Sequence, residues 1–113
     1  MRPDDGDLAY LWDMREAARE ALQFVDGSSY DTFVADMKLR RAVERDLEII
    51  GEAANRVSPE FRQTHLEIPW VGIIGQRNVL AHEYGDIQLD RIWRVATNRL
   101  PQLIEALTAL LSN

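Results

Sequence analysis

Cysteine is absent from all 113 residues, which excludes disulfides and thiolate metal sites. Histidine occurs only twice, at His65 and His82. With so few nitrogen donors and no thiol, no metal site is expected. No apolar run approaches the ~20 residues that would span a bilayer. The stretch Met1-Arg2-Pro3-Asp4-Asp5 has neither the basic nor the apolar region of a signal peptide, so a cytoplasmic protein without membrane contact is expected. Positive charge is in deficit: 13 Lys and Arg stand against 19 Asp and Glu, a net charge of −6. That balance opposes broad attraction to nucleic acid. Chemistry on a nucleic acid would need a local basic site or a partner that supplies one.

Apolar residues make up 46% of the chain and charged residues 28%, the balance of a globular protein. The length suits one domain, residues 1–113, small enough that oligomerisation would help to cover apolar surface. Apolar positions recur with helical period nearly throughout. A first helix is expected from about Asp5 to Val25, with Leu8, Leu11, Trp12, Ala18, Leu22 and Val25 inward and Gly27 at its stop. Ser28, with Asp31 three residues on, opens a second helix over about Tyr30–Val57, with a break near Asp36. Its inner stripe is Phe33, Met37, Leu39, Val43, Leu47, Ile50, Ala54 and Val57; Arg40–Glu44 and Glu52–Arg56 have the spacing of surface ion pairs. Ser58-Pro59 starts a short helix to about Gln63.

Ile68-Pro69-Trp70 starts the next helix, running to about Tyr84 and stopped by Gly85. Asp86 caps the last, over about Ile87–Leu111, with Pro101 as an internal kink. Short connections between such helices predict an all-α fold, an antiparallel four-helix-type bundle with a short extra helix, forming dimers.

Arg77-Asn78-Val79-Leu80-Ala81-His82-Glu83-Tyr84 places an arginine, an amide, an imidazole and a phenol on an otherwise apolar helix. Burying such groups unpaired is costly. Arg77 and His82 lie about 140° apart around a helix axis and about 7.5 Å along it, so they are not same-face neighbours. Two copies facing across a two-fold axis would gather both arginines and both histidines in one cleft. Gly75, Asn78 and His82 share a face, and glycine there would let another backbone come close. A cleft of this kind suits RNA cleavage. One histidine takes the 2′-hydroxyl proton, a second protonates the leaving 5′-oxygen, and arginine neutralises the phosphorane. Asn78 would orient the imidazole or bond a phosphate oxygen. The plainer reading of the same pair is a buried brace to Glu48, Glu52 or a carbonyl. His65 reads as a surface residue. Trp12, Trp70 and Trp93 read as core or interface anchors.

In combination with Arg41–Ala54, Ile68-Pro69-Trp70, Ile73-Ile74-Gly75, Trp93 and Leu100-Pro101-Gln102-Leu103, the motif resembles the HepT-like toxins of the HEPN superfamily over most of the chain. The resemblance implies a dimeric (or higher) helical bundle that is a metal-independent endoribonuclease, needs no cofactor and leaves 2′,3′-cyclic phosphate ends. Arg77 and His82 match the catalytic pair, and Asn78 the polar residue after the arginine. The implied partners are an RNA substrate and an MntA-like nucleotidyltransferase antitoxin that transfers AMP to the tyrosine of R-x-x-x-x-H-x-Y, here Tyr84. The alternative is a non-catalytic helical subunit of a nucleotidyltransferase complex.

Overall fold

The computed structural model describes residues 4–75 and 86–112. These residues are helical, with no strand among them: α1 (Asp5–Val25), α2 (Tyr30–Ala35), α3 (Met37–Arg56), α4 (Pro59–Thr64), α5 (residues 70–75), α6 (Asp86–Arg94), a π turn (Val95–Arg99) and α7 (Leu100–Leu111). The all-α bundle expected from the periodicity is present. Its spine is α1, which packs along both α3 and α7. No helix among the described residues is long and apolar enough to cross a membrane.

The start of α1 is set by Asp4, whose carboxylate accepts from the Asp7 N–H at 2.7 Å. The helix ends at Val25, and the chain turns away at Gly27, which takes a φ of 75° that side chains with a Cβ avoid. Leu11, Met14, Ala18, Ala21 and Val25 follow alternating three- and four-residue steps and form the buried seam. Small residues at 17, 18 and 21 keep α1 close to its neighbours. The sequence reading started this seam one turn too early. Leu8 and Trp12 are exposed, at 38% and 51%, because the three-four alternation begins at Leu11.

The helix expected over 30–57 is divided at Asp36. The Asp36 N–H donates to the Thr32 carbonyl at 2.9 Å, closing α2, and its carboxylate accepts from the Leu39 N–H at 3.1 Å, opening α3. Arg40 donates to the Val34 carbonyl across the break. It is therefore not the partner of Glu44, whose place is taken by Arg41 at 3.2 Å. The cap of α2 is Ser29, whose hydroxyl accepts from the Thr32 N–H, rather than Ser28. Met37 is 60% exposed, since the break turns the first residue of α3 outward. Phe33 and Trp93 hold α2 against α6 with ring centroids 5.4 Å apart.

Pro101 has no N–H to give, and its ring crowds the carbonyl four residues back. The backbone accommodates this just before the proline. Val95–Arg99 widens into a π turn, and the Leu100 N–H bonds to the Val95 carbonyl, five residues back. Past it, Leu100, Leu103, Leu107 and Leu110 return to the core. Leu110 is buried at the end of this seam, and Leu111 beside it is partly buried against the core.

Candidate functional site

The predicted site residues Arg77, Asn78, His82 and Tyr84 lie outside the described residues, as does Gly85. The described residues fix the base from which they arise. Asp7, almost fully buried, reaches across from α1 and accepts from Ser58 twice: from its N–H at 2.8 Å and its hydroxyl at 2.7 Å. Ser58 Oγ in turn accepts from the Phe61 N–H and starts α4. Phe61 stacks on His65 at 4.1 Å and meets Trp70 edge-on at 6.5 Å. The Trp70 indole N–H donates to the His65 carbonyl at 2.9 Å.

His65, expected as a surface residue, is therefore half-buried and structural. Its ring is flat against Phe61, and its Nδ1 lies 3.4 Å from Glu67. The signal for this is the i,i+4 spacing of two flat rings. Trp70 and Trp93 are anchors as expected; Trp12 is not in the core.

From this base α5 projects with an open face. Val71 is 88% exposed, and a Cβ built on Gly72 or Gly75 would meet nothing within 4 Å. Within the chain, these glycines thus answer no close backbone approach.

Beside α5 runs a groove of about 540 Å³. Leu47 and Ile50 of α3, with Leu100 and Leu103 of α7, form its floor, and Pro69, Gly72 and Ile73 form one wall. The opposite rim carries Arg91, Arg94, Asn98 and Arg99, all exposed. Two basic residues of α3 are engaged differently. Arg45 lies 3.4 Å from Glu48 and 3.8 Å from Glu52, and Arg41 pairs with Glu44. The groove arginines escaped the sequence reading. Their signal was present: residues 91–104 contain three arginines and no acidic residue in a chain of net charge −6.

A sequence model of the family described as ribonuclease HepT-like matches residues 14–110. Among similar proteins, one of Methanocaldococcus jannaschii named "Putative RNase" is 34% identical, over 84% of this chain and 87% of its own length. One of Caldanaerobacter subterraneus, also named "Putative RNase", is 38% identical over 83% of this chain and 84% of its own. A Thermococcus cleftensis protein named "Probable ribonuclease HepT" is 34% identical over 83% and 86%. No solved structure matches. A match that covers nearly the whole bundle, from α1 to the end of α7, places the chain plainly: it belongs to the HepT-like ribonuclease family.

Proposed function

We propose that this protein is a metal-independent endoribonuclease toxin whose active site is assembled from two copies of the chain. The observation that carries the reading is the family match over residues 14–110, a range that includes Arg77, Asn78, His82 and Tyr84. In the proposed reaction a ribose 2′-oxygen attacks the adjacent phosphorus. One His82 accepts its proton. The P–O5′ bond breaks, and the second His82, in its protonated form, supplies the proton to the leaving oxygen. Arg77 balances the charge gathered on the phosphorane oxygens, and Asn78 holds the imidazole or a phosphate oxygen. The products are a 2′,3′-cyclic phosphate and a free 5′-hydroxyl.

The same motif supplies a means of control. A nucleotidyltransferase antitoxin would transfer AMP to Tyr84. The phenol oxygen attacks the α-phosphorus of a nucleoside triphosphate, and pyrophosphate departs. The added phosphodiester would compete with RNA for Arg77.

Purified protein is expected to cleave single-stranded RNA in EDTA and to leave cyclic phosphate ends. His82→Ala should keep the helical circular dichroism and the melting temperature while lowering the rate at least 100-fold. Full cleavage by that variant, or none by the wild type, ends the catalytic reading; stable complex formation without cleavage would mark a non-catalytic subunit instead. Intact mass measured after incubation with the antitoxin should rise by whole AMP units, and Tyr84→Phe should abolish the rise.

A further inference from the structure

The geometry points to a binding track for single-stranded RNA in the groove between α5 and the π turn, with Arg91, Arg94 and Arg99 holding successive phosphates. The identity of the polyanion rests on the ribonuclease reading above; the groove and its charge do not.

Charge is the first argument. The chain carries −6 overall, yet three of its 13 cationic side chains rim one groove within nine residues. Four arginines elsewhere are matched to carboxylates, Arg15 and Arg19 to Glu16, Arg41 to Glu44 and Arg45 to Glu48, while among the described residues Arg40, Arg56 and Arg62 stand singly and do not share a groove with one another. On the rim, Arg91 and Arg99 have no ion-pair partner among the described residues. Arg94 has only Asp90, at 3.2 Å, in a pair whose side chains are 65% and 58% exposed. Such a pair holds an arginine weakly and yields it to a phosphate. A like-charged row with one exposed carboxylate among three arginines stays repulsive until an anion lies along it.

Spacing is the second. Arg91, Arg94 and Asn98 follow helical steps on one face, and Arg91 and Arg99 are about 12 Å apart along the axis at about 1.5 Å per residue. That span exceeds a single phosphate and suits a strand. The facing wall, Pro69, Gly72 and Ile73, has no charge, so the groove offers cations to one backbone rather than to the two of a duplex. Among the described residues its floor is aliphatic, without an aromatic platform, so binding should tolerate any base.

Position is the third. The uncharged wall belongs to α5, and Arg77 follows Ile73 by four residues. A strand in the groove thus runs beside the helix that leads into the proposed catalytic motif. The π turn contributes directly: it contains Asn98 and Arg99, and π turns recur at functional positions in helices.

The test uses the full chain and a fluorescein-labelled 2′-O-methyl oligouridylate, which binds like RNA but has no free 2′-hydroxyl to attack. Anisotropy is followed over a range of salt concentrations. The double variant Arg91→Gln with Arg99→Gln should lose about tenfold in affinity, and its log–log salt slope should flatten by about 1.4, the value for two phosphate contacts on a single strand. Arg41→Gln, at an exposed site outside the groove, should bind as the wild type does. Both substituted arginines are exposed, so circular dichroism and melting should be unchanged.

No binding by the wild type, or wild-type affinity and slope in the double variant, overturns the track. A double variant that changes its sedimentation but keeps its RNA affinity also overturns it, by making the groove a contact between subunits. Cleavage of unmodified RNA is scored separately. Groove-dependent binding without cleavage retains the track and removes the nuclease reading; cleavage and binding that ignore the double variant do the reverse.

Discussion

Asp46 shows how one buried atom can set a pH dependence. It sits on α3 at the α1 interface, 3% exposed, and its Oδ2 has no hydrogen-bond partner. Burial first, then the neighbouring Glu20 carboxyl, push its pKa up from 3.8 to about 7; Arg45 pulls the other way. The folded state therefore holds this proton more tightly than the unfolded chain does. Between about pH 4 and pH 7 the unfolded chain releases it while the folded protein keeps it, so the Asp46 contribution to stability falls as pH rises through that window and is level above it. Asp46→Asn has nearly the same shape and no charge to bury. Its stability relative to wild type should thus increase by about 1–3 kcal/mol from pH 4 to pH 8. Urea unfolding at the two pH values measures this, and an equal difference at both would refute it. Helical spacing does put Asp46 on the buried stripe, three residues after Val43 and four before Ile50; what the spacing does not show is that Glu20 lies beside it.

At the scale of elements, most of the helices could be read from spacing, but two departures from ideal periodicity decide where the groove and α6 stand. The break at Asp36 was expected from a shift in the apolar stripe. Its consequence was not, since that depends on Phe33 and Tyr30 meeting Trp93 of α6, some sixty residues away in the chain. Asp36 serves two helices at once, through its N–H to Thr32 and its carboxylate to the Leu39 N–H. Asp36→Ala removes only the second bond, so it should cost about 1 kcal/mol, a typical N-cap loss, with helical content essentially intact. A chemical denaturation midpoint unchanged from wild type would show that packing of Phe33 against Trp93 sets the break unaided. The π turn was the less legible of the two. Pro101 announced a disturbance in the last helix, but a kink and a widened turn satisfy the same missing N–H. The widened turn is what the backbone adopts, with the Leu100 N–H on the Val95 carbonyl, and Leu100, Leu103, Leu107 and Leu110 carry the core seam beyond it.

For the whole molecule, the family and the bundle were legible because the ordered motifs and the three-four periodicity extend over nearly the entire chain. The clamp from Asp7 to Ser58 and the rim from Arg91 to Arg99 were not, because each depends on helices being placed side by side. The remaining question of scale is whether one copy is enough. The proposed chemistry asks for two imidazoles in opposite protonation states, and each chain has a single histidine in the motif. The open face of α5 away from the groove suits a second copy: Val71 is exposed to 88%, nearby Leu66 to 78%, and the space before Gly75 is free. Burying such apolar surface between two copies is favourable at about 25 cal/mol per Å², whereas an unpaired carboxylate placed there opposes it by several kcal/mol. Val71 is 88% exposed, so with Val71→Asp the monomer should fold with an unchanged circular dichroism spectrum. Sedimentation equilibrium should then report one chain where the wild type reports two. Cleavage should fall with the dimer, while the noncleavable oligouridylate still binds the arginine groove of each separated copy. A wild type that cleaves RNA as a monomer, or a monomeric Val71→Asp that cleaves at the wild-type rate, would mean that a single motif carries the whole reaction.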